Sequence, residues 1–300
     1  MALSPYPSRL VVPHDAAAAA VLPFLCRHFP RVAPAQWRRR FAAGLVMDEH
    51  MRPLAPTAPV RPGLVLYYYR ELDDEVCIPA AEEIIHHDAD LLVACKPHFL
   101  PVTPGGRFVS ENLLFRLRQR TGNHELVPLH RIDRHTAGLV LFSCRRVSRS
   151  VYAALFSEGR VKKTYLAAAL CPQPPRQWRW EVANRIERGE PWFRRRSCRG
   201  AVNARSVIRL VQCQDGIGLF ELQPITGKTH QLRVHMSDSG FPILNDRYYP
   251  RLLPEQADDY DRPLQLLAKS LSFTDPVTGK RCCFESPRAL TLPSGLSDFP

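Results

Sequence analysis

Short apolar runs of strand length constrain this 300-residue chain more than any other feature. LLVAC (91–95), LVLF (139–142) and KKTYLAAAL (162–170) read as buried strands, and LFELQPITGKTHQLRVHMSDSG (219–240) reads as a strand, a loop and then a helix. Helical spacing appears between them. SENLLFRLRQRTGN (110–123) sets Leu113, Leu114 and Leu117 on one face, with Ser110 as N-cap and Gly122 as stop. SVYAALFSEGRV (150–161) reads as a second helix, ended by Gly159. Gly138 is expected to make a tight turn ahead of LVLF, which leaves HRIDRH (130–135) on the loop that feeds a core strand.

The first 75 residues read as a separate unit. PAQWRRRFAAG (34–44) is a short basic helix stopped by Gly44, LVLYYYR (64–70) is rich in strand formers, and MRPLAPTAPVRPG (51–63) is loop. The acidic ELDDEVCIPAA (71–81) is expected to link it to the larger unit, and the last residues, 291–300, to form a tail. AAAAAVLPFLC (16–26) is broken by Pro23 and is shorter than the about 20 residues a membrane span needs. Charge ahead of it is too sparse for a signal peptide, so a cytoplasmic protein with no membrane partner is expected.

The formal net charge is +12, which suits a polyanionic partner such as nucleic acid. Arginines crowd residues 185–209, with Trp178, Trp180, Trp192 and Phe193 interleaved. Arginine beside exposed aromatic rings is what RNA stacking and phosphate contact require, though the same stretch reads equally well as a solvated loop between two strands. Nine cysteines at irregular spacing, without any C-x-x-C, argue against a zinc ribbon and against a disulfide framework.

Most familiar chemistries are excluded by spacing. GKT at 227–229 invites a phosphate loop, but the glycine required at 222 is Leu222. His130/His135 and His230/His235 are each five residues apart, an offset of about 140° on a helix and of opposite faces on a strand, so neither pair meets on one metal ion. No G-x-S-x-G and no G-x-G-x-x-G occurs. What remains is carboxylate and arginine chemistry without a metal or nucleotide cofactor, and Asp133, between Arg131 and Arg134, is its natural centre. A guanidinium beside a carboxylate in an apolar pocket favours the ionised form, which a nucleophile or general base needs.

HRIDRHTAG (130–138) resembles the H-R-L-D-x-x-T-S-G signature of the RluA-type RNA pseudouridine synthases. ITGKTHQLRVH (225–235) resembles their G-R-T-H-Q-I-R-x-H signature, and KPHFLPVTPGG (96–106) their K-P-x-G-L-x-V-x-P opening. VKKTYLA (161–167), FPILNDRYY (241–249) and LLAKSLSFTDPVTGK (266–280) are similar to three further family segments, in the family's order. The resemblance covers about 82–290, and more weakly the first 75 residues resemble the small αα-β RNA-binding domain that often precedes this catalytic unit.

The resemblance implies an α+β fold: a mixed, mostly antiparallel sheet with flanking helices over 76–290, behind a small RNA-binding-like domain at 1–75. It implies isomerisation of uridine to pseudouridine in rRNA or tRNA, with the base flipped out and no cofactor, by a monomer. Asp133 takes the place of the essential carboxylate, whether it attacks the substrate or abstracts a proton; Arg233 takes that of its ion partner and Tyr165 that of the ring stacked on the flipped base. Leu266 would form the apolar wall, while His130, Arg131, Thr136, Lys163, Lys228, Thr229, His230 and Gln231 would shape the site or touch RNA. The chain departs from the family at Cys95, Phe99, Lys228, Asn245 and Leu267, where Asn, Gly, Arg, Gly and His are usual. These departures bear on RNA contacts and so on the target. The rival reading is an RNA-binding, chaperone-like protein on the same scaffold without catalysis.

Overall fold

The computed structural model describes residues 2–16, 20–72 and 75–291; the expected tail lies outside them from 292 onward. The chain divides into two compact units, one running to Cys77 and including Pro104–Glu111, the other comprising Ile78–Thr103 and everything from Asn112.

In the first unit, β1 (Ala2–Leu3) is followed by β2 (Ser8–Val11), α1 (Val21–His28), α2 (Pro34–Ala42), β3 (Val46–Met47), β4 (Val65–Tyr68) and β5 (Glu71–Leu72). Pro34 begins α2, where a missing N–H costs nothing, and Trp37 and Phe41, one turn apart, enter a core with Phe24, Leu25 and Leu66. Arg40 of the same helix is buried over the Trp37 ring, 4.7 Å away, and lies 3.8 Å from Glu71. The segment 71–81 is therefore more than a linker. Glu71 pairs in a strand with β1, and the Glu75 carboxylate accepts the backbone N–H groups of Val109, Ser110 and Glu111 and the Ser110 hydroxyl.

The second unit is built from β6 (Glu83–His87), β7 (Leu91–Lys96), α3 (Leu113–Thr121), β8 (Val127–Pro128), β9 (Ala137–Ser143), α4 (Arg149–Ser157), β10 (Lys162–Leu170), β11 (Arg179–Arg188), β12 (Arg195–Cys198), β13 (Ala204–Gln214), β14 (Ile217–Pro224), α5 (Gln231–Asp238), β15 (Leu266–Thr274) and β16 (Arg281–Glu285). The strands form one sheet in the order β12-β11-β13-β14-β10-β15-β9-β7-β6, with β16 beside β15 and β8 beside β9. Every pairing is antiparallel except β9 with β15. The fold is thus the expected α+β arrangement with a mixed, mostly antiparallel sheet.

Three local expectations change. The N-cap of α3 is Asn112, whose side chain accepts the Phe115 N–H at 3.0 Å, because Ser110 is already held by Glu75. Gly138 lies inside β9 and not in a turn. Its φ is +110°, and a Cβ there would fall 2.2 Å from the Ala268 carbonyl oxygen. Glycine is needed because β15 passes that close beside β9, the pairing that brings the loop before β9 alongside Leu266. The arginine-rich stretch is neither a loop nor a uniform cationic platform. It is mostly β11, β12 and β13, and Arg185, Arg205 and Arg209 are paired with Glu187, Glu181 and Glu221 at 2.6, 3.0 and 2.8 Å.

Candidate active site

Asp133 sits in a turn closed by the Thr136 N–H on the Asp133 carbonyl, at 3.1 Å, immediately before β9. Lys96, fully buried at the end of β7, holds this turn from beneath. Its ammonium donates to the carbonyls of Pro97, Leu100 and Arg134 at 2.9, 2.7 and 3.1 Å. Burial lowers its pKa well below the usual lysine value, although the Asp133 charge opposes that. Phe99, where the resembled family has glycine, adopts φ +66° and is nonetheless buried, wedged against His135 and Tyr260.

The arginines that flank Asp133 in sequence do not pair with it. Arg134 makes a two-pronged bond to Asp258, at 2.6 and 2.9 Å, and Arg131 is exposed at the rim. The partner comes from α5, one hundred residues on: Arg233 Nη1 lies 3.4 Å from Asp133 Oδ2. Arg233 is 2% exposed and is itself aimed by Asp246, which accepts from Nε at 2.8 Å and from Nη2 at 2.7 Å. Tyr248 and Tyr249 cover the guanidinium, their ring centres 4.8 and 5.4 Å away. Burial works against the arginine's charge, but Asp246 and then Asp133 outweigh it and raise its pKa. Asp246 follows Asn245, another position with φ near +60° that the family fills with glycine.

A cleft of about 830 Å³ opens beside this carboxylate, and it collects every residue singled out from the sequence: Asp133, Arg233, Tyr165, His130, Arg131, Thr136, Lys163, Lys228, Thr229, His230, Gln231 and Leu266. Tyr165 lies on β10 at an irregularity in its pairing with β15, packed in a cluster with Leu232 and Leu266. Burial, and next the negative charge of Asp133, raise its phenol pKa, so it remains neutral. Burial also lowers the Lys163 pKa. Arg131, Lys228 and Thr229 are exposed at the rim, free to meet a large ligand.

Two of the polar residues line the cleft while hydrogen-bonded elsewhere, Gln231 through its whole amide and His130 through Nε2. Gln231 donates to the Arg205 carbonyl and Ser206 Oγ, both at 2.9 Å, and accepts from Thr226 Oγ1 at 2.6 Å and the Lys228 N–H at 3.0 Å. All its amide capacity is used, so it shapes the 226–231 loop. His130 accepts the Leu141 N–H at 3.1 Å and stacks on Phe156 at 4.6 Å; burial, with the Lys163 charge, pushes its pKa down to about 3. Asp246, Tyr248, Tyr249 and Lys96 were not singled out from the sequence as site residues. Asp246 and the two tyrosines had a signal in NDRYY, an acid and two aromatics behind an αL-tolerant Asn245.

Among the described residues no three His, Cys, Asp or Glu side chains gather as metal ligands, and no helix is long and apolar enough to cross a membrane. The arrangement offers one partly exposed carboxylate, a fixed guanidinium, an aromatic face and an apolar wall beside a cationic rim.

Residues 90–238 match the family model described as RNA pseudouridylate synthase. A dual-specificity RNA pseudouridine synthase, RluA, of Pasteurella multocida is 31% identical over 69% of this chain and 93% of its own length. An uncharacterized RNA pseudouridine synthase of Synechocystis is 28% identical over 71% of this chain and 73% of its own. Among solved structures, human RNA pseudouridylate synthase domain containing 4 superposes with a TM-score of 0.53 at 26% identity, covering 68% of this chain and 88% of that one. The human domain containing 1 protein shares the fold, with a TM-score of 0.55 at 22% identity over 71% and 91% of the two chains.

Proposed function

This chain belongs to the RluA-type RNA pseudouridine synthase family, isomerases that act on RNA, and from that premise we propose that it isomerises particular uridines of ribosomal or transfer RNA through Asp133. The observation that carries this reading is the approach of Arg233 to Asp133 at 3.4 Å inside a cleft walled by Tyr165 and Leu266. The reaction breaks the bond between N1 of uracil and C1′ of ribose, turns the base and joins C5 to C1′. C5 loses a proton and N1 gains one, so the step balances without oxidant or reductant. Asp133 serves either as nucleophile or as the base that abstracts a proton, and Arg233, 3.4 Å from Oδ2, orients it for both.

The remaining residues supply the substrate's path into the cleft. A uridine inside an RNA stack must be flipped out, at a cost of a few kcal/mol. Stacking on the neutral Tyr165 ring offsets about 1–3 kcal/mol of that, and Leu266 closes the apolar side. Arg131 and Lys228 meet phosphates at the rim, and the +12 charge adds sequence-independent attraction.

The test is pseudouridine mapping of total RNA from cells lacking this chain, complemented with wild type or with Asp133→Ala. One or a few sites lost, and restored by wild type alone, are expected. Sites restored equally by Asp133→Ala would defeat the assignment of Asp133. If no site is lost, the non-catalytic RNA-binding reading gains.

A further inference from the structure

Tyr249 is 6% exposed, and its hydroxyl lies between two partners. It accepts the backbone N–H of Arg195, at the start of β12, at 2.7 Å, and it is 3.0 Å from His230 Nδ1. A phenol has one proton to donate. With the Arg195 N–H on a lone pair, that proton points to Nδ1, and the neutral imidazole then carries its own proton on Nε2. Nε2 is the nitrogen facing Asp133, 3.8 Å from Oδ2. The other tautomer would aim an Nε2 lone pair at the carboxylate, a repulsive arrangement. The ring is caged by Tyr248 and Tyr249, with centroids 5.6 and 5.7 Å away. Burial pulls its pKa down to about 4, with Asp133 and Asp246 opposing and Arg233 and Arg195 assisting, so it is neutral at pH 7.

We propose that Tyr249 and His230 are a positioning pair for Asp133: Tyr249 fixes the Nε2–H tautomer, and His230 closes that N–H onto Oδ2 when RNA fills the cleft. The proposal rests on Asp133 being the reactive carboxylate. Arg233 Nη1 and His230 Nε2 both approach the same oxygen, Oδ2, at 3.4 and 3.8 Å. Among the described residues no donor bonds Oδ1, which is left for the substrate. Both contacts are long for hydrogen bonds, the condition expected of a site that tightens only on its ligand. The arginine-rich hairpin also gains a role besides attracting RNA: its Arg195 N–H sets the direction of the Tyr249 hydroxyl, while Ile186 and Ala204 pack beside Tyr249.

Two measurements on the full chain test this. Long-range proton–nitrogen correlation spectra at pH 7, with His230 assigned by its loss in His230→Asn, should show Nε2 protonated. An Nδ1–H tautomer or an imidazolium would overturn the proposal. Single-turnover conversion of total RNA from cells lacking this chain, with enzyme in excess, should then be slower in Tyr249→Phe by about tenfold to a hundredfold at saturation, with the half-saturating enzyme concentration held within about twofold. His230→Gln, which keeps a donor near the Nε2 position, should recover part of the rate lost in His230→Ala. A purely structural role would instead lower the melting temperature and leave Gln and Ala alike, and an unchanged saturating rate in Tyr249→Phe would also refute the pair. Full turnover by Asp133→Asn would defeat the reading of the reactive carboxylate itself, an outcome distinct from either.

Discussion

Asp133 and Asp246 share one guanidinium, and they are held in opposite ways. Asp246, in the segment before β15, is dry. It accepts from Arg233 Nε and Nη2 at 2.8 and 2.7 Å and from the N–H groups of Tyr248 and Tyr249 at 2.8 and 3.2 Å. Asp133, in the turn before β9, leaves 24% of its side chain exposed and meets Arg233 in a single contact of 3.4 Å. The rigidity of the site thus resides in the partner, and the carboxylate proposed to react is left unsaturated. A carboxylate that must bond a substrate needs spare lone pairs, whereas the cation that orients it needs none.

The largest expected effect comes from that contrast. Asp133→Asn should lower turnover by about a thousandfold or more, since it removes the charge that either mechanism uses. The melting temperature should stay within a few degrees, because only one long contact is lost. Asp246→Asn should do the reverse in stability: it leaves the buried Arg233 poorly compensated, at a cost of about 3–5 kcal/mol. Its turnover should fall too, because Arg233 loses its aim. Urea unfolding of the two variants side by side is the check. Equal destabilisation would erase the distinction between anchor and reactive group.

The contrast also shows what was legible in the sequence. The strands at 91–95, 139–142 and 162–170 were readable because each is a short apolar run, and the helix stops at Gly122 and Gly159 because both take left-handed φ, +67° and +68°. Asp133, Arg233 and Tyr165 were reachable through motif resemblance. The contact between Asp133 and Arg233 was reachable the same way, whereas Arg134, a neighbour in sequence, pairs with Asp258, and the anchor of Arg233, Asp246, lies thirteen residues beyond it across a turn where no local pattern ties the two. Ser110 failed as a cap, and Gly138 as a turn, for one reason. Each is set by a distant partner, Glu75 and Ala268, that no local pattern announces.

A smaller effect separates the histidines from the carboxylates. His130 is half-buried and neutral, desolvation and then the Lys163 charge pushing its pKa down to about 3. His98 and His235 are each pushed down to about 4, mainly by burial. A folded-state pKa below the unfolded value of about 6.5 means that the unfolded chain takes up protons first as pH falls. Stability from these groups is therefore complete above about pH 6.5 and is lost progressively towards pH 3. His130→Gln should flatten the stability–pH slope in that window by up to about 1.4 kcal/mol per pH unit, while leaving stability above pH 7 free of any slope from this site. Chemical unfolding at pH 7.5, 6 and 5 measures it, and an unchanged slope would show that His130 is already protonated in the fold.

The smallest expected effect carries the contrast between saturated and open groups to the arginines. Arg205 lies 3.0 Å from Glu181 on the sheet, with both side chains about half exposed, whereas Arg131 is exposed at the cleft rim with no ion pair among the described residues. A surface pair of the first kind contributes about 0–1 kcal/mol. Its charge is largely cancelled locally, so Arg205→Ala should change stability by less than about 1 kcal/mol and scarcely alter the salt dependence of RNA binding. An open arginine that meets a phosphate releases a counterion on binding. Arg131→Ala should therefore reduce the slope of log affinity against log salt by about 0.7 for a single-stranded contact, or about 0.9 for a duplex one. Titrations of a transcript bearing a mapped site, from about 50 to about 200 mM salt, compare the two directly. Equal slopes for both variants would mean that the rim arginine contacts no phosphate. RNA attraction would then have to come from Lys228 at the rim and from Arg188, Arg196 and Arg199, which have no ion pair among the described residues.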